Sequence, residues 1–155
     1  MKKKTIGYLI ALGLIALDLI SKSLITSNIS LGERLPIIDG FFWLTNVRNT
    51  GAAWSIFQDH TWILTMVSWV VSIGLLIYYQ RQELKGIPYV CLVMIIAGAL
   101  GNGIDRLFFS YVRDFLSFNI FGYMFPVFNL ADSLLTIGCL IFLIHTLVTP
   151  EATHE

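Results

Sequence analysis

At 155 residues, with 56% hydrophobic and 13% charged side chains, the chain suits one domain (1–155) but is too apolar for an ordinary soluble one. The bilayer is its first expected environment. Ten basic and ten acidic residues cancel to a net charge of zero without a long basic run, which speaks against a nucleic-acid groove or an acidic polymer as partner.

In chain order, the first apolar run spans about Ile6 to Ile25 and follows Lys2, Lys3 and Lys4. It is long and lacks a small-residue cleavage site, so it reads as a retained helix rather than a cleaved leader. Asp18 and Lys22 lie four apart on it, acid first, the favourable order for an ion pair on one helical face. Residues 26–61 follow, long for a simple connector. Ile37-Ile38-Asp39-Gly40-Phe41-Phe42 reads as a hairpin turn between β-prone runs, and Trp43 to Val47 and Trp54 to Phe57 are further strand candidates. The aromatic load there (Phe41, Phe42, Trp43, Trp54, Phe57) suits either an interfacial belt or the wall of a groove for a lipid substrate.

Three more runs reach the roughly 20 residues a spanning helix needs: about Trp62 to Tyr79, Pro88 to Phe109 and Pro126 to Val148. Arg81 and Lys85 join the three N-terminal lysines on one side, which should be cytoplasmic along with both termini. The segments 26–61 and 110–125 then lie outside. The expected fold class is membrane all-α: four transmembrane helices with a small extracytoplasmic β-sheet between helices 1 and 2. Cys91 and Cys139 fall in apolar runs and read as small buried hydrophobes.

A charge deep in a bilayer costs on the order of 2.5–3.5 kcal/mol, so polar groups in these helices need reasons. On the third helix, Gly98-Ala99-Leu100-Gly101-Asn102-Gly103-Ile104-Asp105-Arg106 mixes small residues, which permit close packing, with Asn102, Asp105 and Arg106 on one face. At about 1.5 Å per residue from Pro88, Asp105 comes roughly 26 Å across, near the outer boundary. Asp114 follows just beyond, on a loop expected to fold back. Asp132, roughly 9 Å of helix beyond Pro126, meets it at that level, with Asn129 one turn earlier to orient the pair. Two neighbouring carboxylates cannot both ionise readily, which leaves one acid and one base for water attack on a peptide carbonyl. Taken alone, these acids fit ion pairs with Arg106 or Arg113 equally well.

The set as a whole is more specific. Asp18-x-x-x-Lys22, Asn46, Asn49-Thr50-Gly51-Ala52-Ala53-Trp54, Gly101-Asn102-x-x-Asp105-Arg106, Val112-Arg113-Asp114-Phe115 and Phe128-Asn129-x-Ala131-Asp132 resemble, in order, the bacterial lipoprotein signal peptidases, or signal peptidase II. No motif position departs. The resemblance implies an aspartic endopeptidase of the bacterial cytoplasmic membrane with its active site at the outer face. Asp114 and Asp132 are then catalytic, and Asp18, Lys22, Asn46, Asn49, Gly51, Asn102, Asp105, Arg106 and Asn129 bind substrate or support the site. It implies no metal and no cofactor. Its substrates are diacylglyceryl-modified prolipoproteins cut just before the lipid-modified cysteine, and its surroundings membrane lipids. The chain is expected to work as a monomer.

Two rival readings remain. Ser21 or Ser23 with Lys22 would make a serine/lysine peptidase, though sequence neighbours point to different helix faces. A proton-coupled transporter or assembly subunit would relay charge through Asp18, Asp105 and Asp132, but the acids cluster near one interface and no inverted repeat is visible. His60, His145 and His154 lack helical ligand spacing for a metal.

Overall fold

The computed structural model describes residues 2–51 and 61–149. The strand candidate Trp54 to Phe57, His60, His154 and the tail beyond Thr149 lie outside them. Four helices, α1 (Lys2–Asn28), α2 (Thr61–Arg81), α3 (Gly86–Phe109) and α4 (Leu130–Val148), are long and apolar enough to cross a membrane. Their apolar side chains face outward: Leu12, Val70, Phe108 and Leu147 are each more than 65% exposed, the arrangement expected when lipid is the solvent. More than half of the α3 span is buried within the protein, whereas each other helix buries under a fifth. The third helix is therefore the central post, packed against α1, α2 and α4.

The glycines of α3 make this possible. A Cβ on Gly98 would sit 2.4 Å from the Ala131 carbonyl oxygen of α4, and one on Gly101 2.8 Å from Asp18 Oδ2 of α1. At the other end of the bundle, Ala11, Tyr79, Leu92, Val93, Ile96 and Ala97 form the buried apolar core. Both cysteines are free; Cys91 is buried as expected, but Cys139 is exposed on the outer face of α4.

The connectors build a four-stranded antiparallel sheet in the order β1 (Arg34–Ile38), β2 (Phe42–Asn49), β3 (Val112–Ile120), β4 (Tyr123–Met124). The hairpin read around Asp39-Gly40 is present, with Gly40 at φ +72°. Half of the strands, however, come from residues 110–125, so the segment expected to be a folded-back loop is a hairpin completing the sheet. Its residues alternate too weakly to signal a strand, because Val112 to Phe115 are buried on both faces.

Helix α4 begins at Leu130 and not near Pro126, where the apolar run starts. Phe128 is held in a β-bridge to Leu116, its carbonyl accepting from the Phe115 and Leu116 N–H groups at 3.0 and 2.8 Å. Asn129 then caps the helix: its side chain accepts from Asp132 N, and the Asp132 carboxylate accepts from Asn129 N, a reciprocal capping box. Apolar Pro126 to Phe128 read as membrane by composition while serving as a sheet edge. Asp132 is thus in the first turn of α4.

Gly98→Ala forces a Cβ against α4 backbone and should cost about 1–3 kcal/mol, lowering the thermal midpoint of the purified protein. Gly74→Ala, which meets nothing within 4 Å on α2, should instead hold or raise it.

Candidate active site

Where α1, α3, α4 and β3 converge, polar groups that would be costly singly satisfy one another. The Lys22 ammonium, fully buried, lies 2.7 Å from Asp18 Oδ2, 3.4 Å from Asp105 Oδ2 and 3.0 Å from Asn102 Oδ1. The predicted Asp18–Lys22 pair is thus one edge of a larger network. Asp105 is also gripped by Arg113: its carboxylate accepts from Arg113 Nη2 at 2.7 Å, Nε at 3.2 Å and the backbone N–H at 3.0 Å. Asp18 Oδ1 accepts from Ala131 N at 3.0 Å, which fastens α1 to the first turn of α4. Two buried acids face two buried bases, and a buried charge is tolerable only when paired in this way.

Removing one partner should therefore be severe. Lys22→Met leaves Asp18 without its cation and should destabilise the fold by about 3–5 kcal/mol, read as a large drop in thermal midpoint.

The same lysine fixes the site beside it. Asn102 Oδ1 accepts from Lys22 and from Asn129 Nδ2 (3.2 Å), so its amide nitrogen must point the other way, donating to Asp132 Oδ1 at 2.7 Å. The Asn129 carbonyl is taken by Asp132 N at 2.9 Å, which turns its nitrogen onto Asp114 Oδ1 at 2.6 Å. Asn49 repeats the logic: its carbonyl accepts from Gly51 N at 3.0 Å, and its nitrogen donates to Asp114 Oδ2 at 2.9 Å. With Asn129 N donating to Asp132 Oδ2 at 3.2 Å, all four oxygens of Asp114 and Asp132 accept one N–H each.

β3 delivers Asp114 by pairing with β2, Val47 opposite Asp114 and Arg48 opposite Arg113. Strand alternation then sends Arg113 to the Asp105 network and Asp114 to the cavity. Neither Asp114 nor Asp132 makes an ion pair within 4 Å among the described residues; Arg113 is committed to Asp105. Burial first, and then the charge of Asp132, push the Asp114 carboxyl up to about 7, against the opposing pull of Asn49, Asn129 and Lys22. The pair shares a solvent-accessible cavity of about 830 Å³, also lined by Gly51, Arg106, Phe125 and Leu135. Arg106 donates to Ser68 Oγ of α2 at 3.4 Å, while its Nε has no partner among the described residues.

Of the residues singled out in the sequence, Asn46 belongs to neither the cavity lining nor the polar network: it donates to the Ile29 carbonyl at 2.8 Å and ties β2 to the end of α1. Ser21 Oγ donates to the Asp18 carbonyl and Ser23 Oγ accepts from Arg113, so neither hydroxyl meets a Lys22 base. The spacing did not reveal Arg48, Thr50, Ser133 and Thr136, which line the cavity through tertiary placement, or Arg113 as the second cation of the network. The adjacency of Arg113 to Asp114 was the available signal, once the segment is read as a strand.

A family model described as "Signal peptidase (SPase) II" matches residues 10–148. The chain is 41% identical over 149 residues to a "Lipoprotein signal peptidase" of Bacillus pumilus (strain SAFR-032), covering 96% of both. Two solved structures, each titled a bacterial membrane enzyme solved by the in meso method, at 2.3 and 1.9 Å, superpose with TM-scores of 0.88 and 0.83 at 34% identity. They cover 97% and 94% of this chain, and the chain covers 93% and 95% of theirs.

Proposed function

The chain belongs to the signal peptidase II family and is a membrane peptidase that removes signal peptides from prolipoproteins; we propose that Asp114 and Asp132 are its catalytic pair. The observation that carries this assignment is that the two carboxylates share one cavity, linked through Asn129, with no cation bonded to either among the described residues. The cleaved bond lies just before a cysteine that carries diacylglycerol. The sheet end of the bundle faces outward, both termini lie in the cytoplasm, and a single chain holds the complete site.

The chemistry follows from one proton held between two acids. The ionised carboxylate takes a proton from water as its oxygen bonds to the scissile carbonyl carbon, while the protonated carboxyl donates to the carbonyl oxygen. When the tetrahedral intermediate collapses, the carbon–nitrogen bond breaks, and the carboxyl that gained the water proton passes it to the departing amine. The other carboxylate recovers the proton lent to the oxygen. One proton remains on the pair. The four N–H groups hold both carboxylates still, so their free lone pairs stay aimed into the cavity through the cycle. Asn49 and Gly51 hold the Asp114 side of the cavity, and Arg106 borders it as a fixed positive charge. Asp18, Lys22, Asn102 and Asp105 act by positioning. The predominantly apolar remainder of the wall, Val47, Phe125, Leu135 and Ile137 among it, suits acyl chains and signal-peptide side chains.

Cleavage of a diacylglyceryl-modified precursor peptide by purified protein should fall by roughly 10²–10⁴-fold in Asp114→Asn and in Asp132→Asn, with the fold retained. Near-normal turnover in either folded variant would remove the shared-proton mechanism.

A pH profile gives an independent check. An acid raised to about 7 keeps its proton below that pH and loses it above. A pair that needs one proton should thus lose kcat/KM as pH climbs through about 7. The same raised value means folding takes up a proton between about pH 4 and 7, so Asp114 lowers stability as pH rises across that window. The thermal midpoint of Asp114→Asn relative to wild type should accordingly be more favourable at pH 8 than at pH 5.

A further inference from the structure

A second cavity lies at the opposite end of the bundle, where Lys2, Lys3 and Lys4 of α1 meet the connector between α2 and α3. Its volume is about 270 Å³, and its lining brings Lys85 to the three N-terminal lysines across more than eighty residues of sequence. Four lysines and one acid, Glu83, are among the residues that line it. A bias of loop charge that only oriented the chain in the membrane would need the lysines on this side, but not gathered around one hollow.

The donors in this cavity are selective. Tyr79 and Tyr89 form part of its wall, yet their hydroxyl protons are spent on α1 carbonyls, Tyr79 on Lys4 O at 3.2 Å and Tyr89 on Lys3 O at 3.0 Å. Gly7 permits this approach, since a Cβ there would collide with the Tyr79 hydroxyl. Lys4 donates to the Gln80 carbonyl at the end of α2, which fixes one ammonium at the rim. Apart from Glu83 and the Gln82 amide, the charged and polar groups left to address a ligand are the lysine ammoniums. An excess of four cations over one carboxylate suits an anion rich in acceptor oxygens.

The setting selects its source. The cavity sits where the apolar spans of α1 and α3 begin, and Ile6, Ile87 and Val90 beside it are each about half exposed along the way into the hydrocarbon. A phosphate group bearing acyl chains meets both surfaces at once, whereas free phosphate meets only the lysines. We propose that this cavity binds the phosphate headgroup of an anionic phospholipid, its chains running along the apolar flank formed by Ile87 and Val90. The site is separate from the peptidase chemistry, and it would tether the helix ends remote from the aspartates to the opposite leaflet.

The test counts lipids retained by the purified protein in native mass spectrometry, with phosphatidylglycerol and phosphatidylcholine supplied equally. Phosphatidylglycerol should be preferred, and a juxtamembrane ammonium contributes about fivefold. The Lys3→Gln/Lys85→Gln variant should lose about 25-fold of that preference, and Glu83→Gln should gain several-fold. Arg81→Gln, which removes a charge from the same end but not from the cavity lining, should change little. Equal retention of the two lipids, or an equal loss in Arg81→Gln, would overturn the proposal by reducing it to diffuse surface charge. Stoichiometric binding of inorganic phosphate by lipid-free protein would overturn the lipid source. Thermal midpoints check that the variants are folded, and the gain in Glu83→Gln stands as the reading should the double variant fail to fold.

Discussion

A single ammonium, that of Lys22, is the point from which the site is built. It is enclosed by Asp18, Asp105 and the carbonyl of Asn102 with no access to solvent. In an apolar span an ammonium has no water to fall back on, so its acceptors are obligatory. Each acceptor belongs to something else as well. Asp18 reaches the first turn of α4, Asp105 holds β3 through Arg113, and Asn102 touches Asp132. Three helices and the sheet are thereby placed relative to one charge, and their relative placement defines the geometry of the two aspartates.

The asparagines translate that placement into chemistry. An amide has one accepting and one donating end, and its orientation is free unless something fixes one of them. Here each accepting end meets a group that can only donate: the Lys22 ammonium for Asn102, a backbone N–H for Asn129 and for Asn49. Their donating ends are thus directed at carboxylates without dependence on a mobile rotor. Such preorganisation matters because groups already aimed at the reacting atoms need not be reorganised during the reaction. It also explains how two buried acids coexist without a cation bonded to either among the described residues. The N–H groups offset part of the desolvation, and in the mechanism we propose one shared proton removes the remaining repulsion.

How much of this was legible depended on whether a feature was local. Four apolar spans, the Asp18–Lys22 pair at helical spacing and the hairpin at Asp39-Gly40 are local patterns, and the chain displays each directly. The glycines of α3 signalled close packing, though not that Gly98 would meet Ala131 and Gly101 Asp18. Asp114 was legible as a member of the pair but not as a strand residue, because burial on both faces erases the alternation that marks a strand. The start of α4 is hidden in the sequence for a related reason: Pro126, Val127 and Phe128 are apolar because a sheet and a cavity cover them, and hydropathy cannot distinguish that from lipid. The capping box of Asn129 and Asp132 was written in the sequence. Its two residues also suit the chemistry of the site, which masks their role in starting the helix.

That double use has a structural consequence. Asp132 closes the reciprocal cap of α4 through Oδ2 and receives Asn102 through Oδ1, while Asn129 caps the same helix and also donates to Asp114. The helix start is therefore the device that sets the separation of the two carboxylates. Shifting it by one residue would rotate Asp132 by roughly 100° about the α4 axis and take it off the cavity. The β-bridge at Phe128 prevents such a shift, because the carbonyl one residue before the cap is already bonded to two strand N–H groups. A sheet edge thus fixes the register of a membrane helix. The hairpin that carries Asp114 carries that same edge in Leu116, so both aspartates are positioned from one strand.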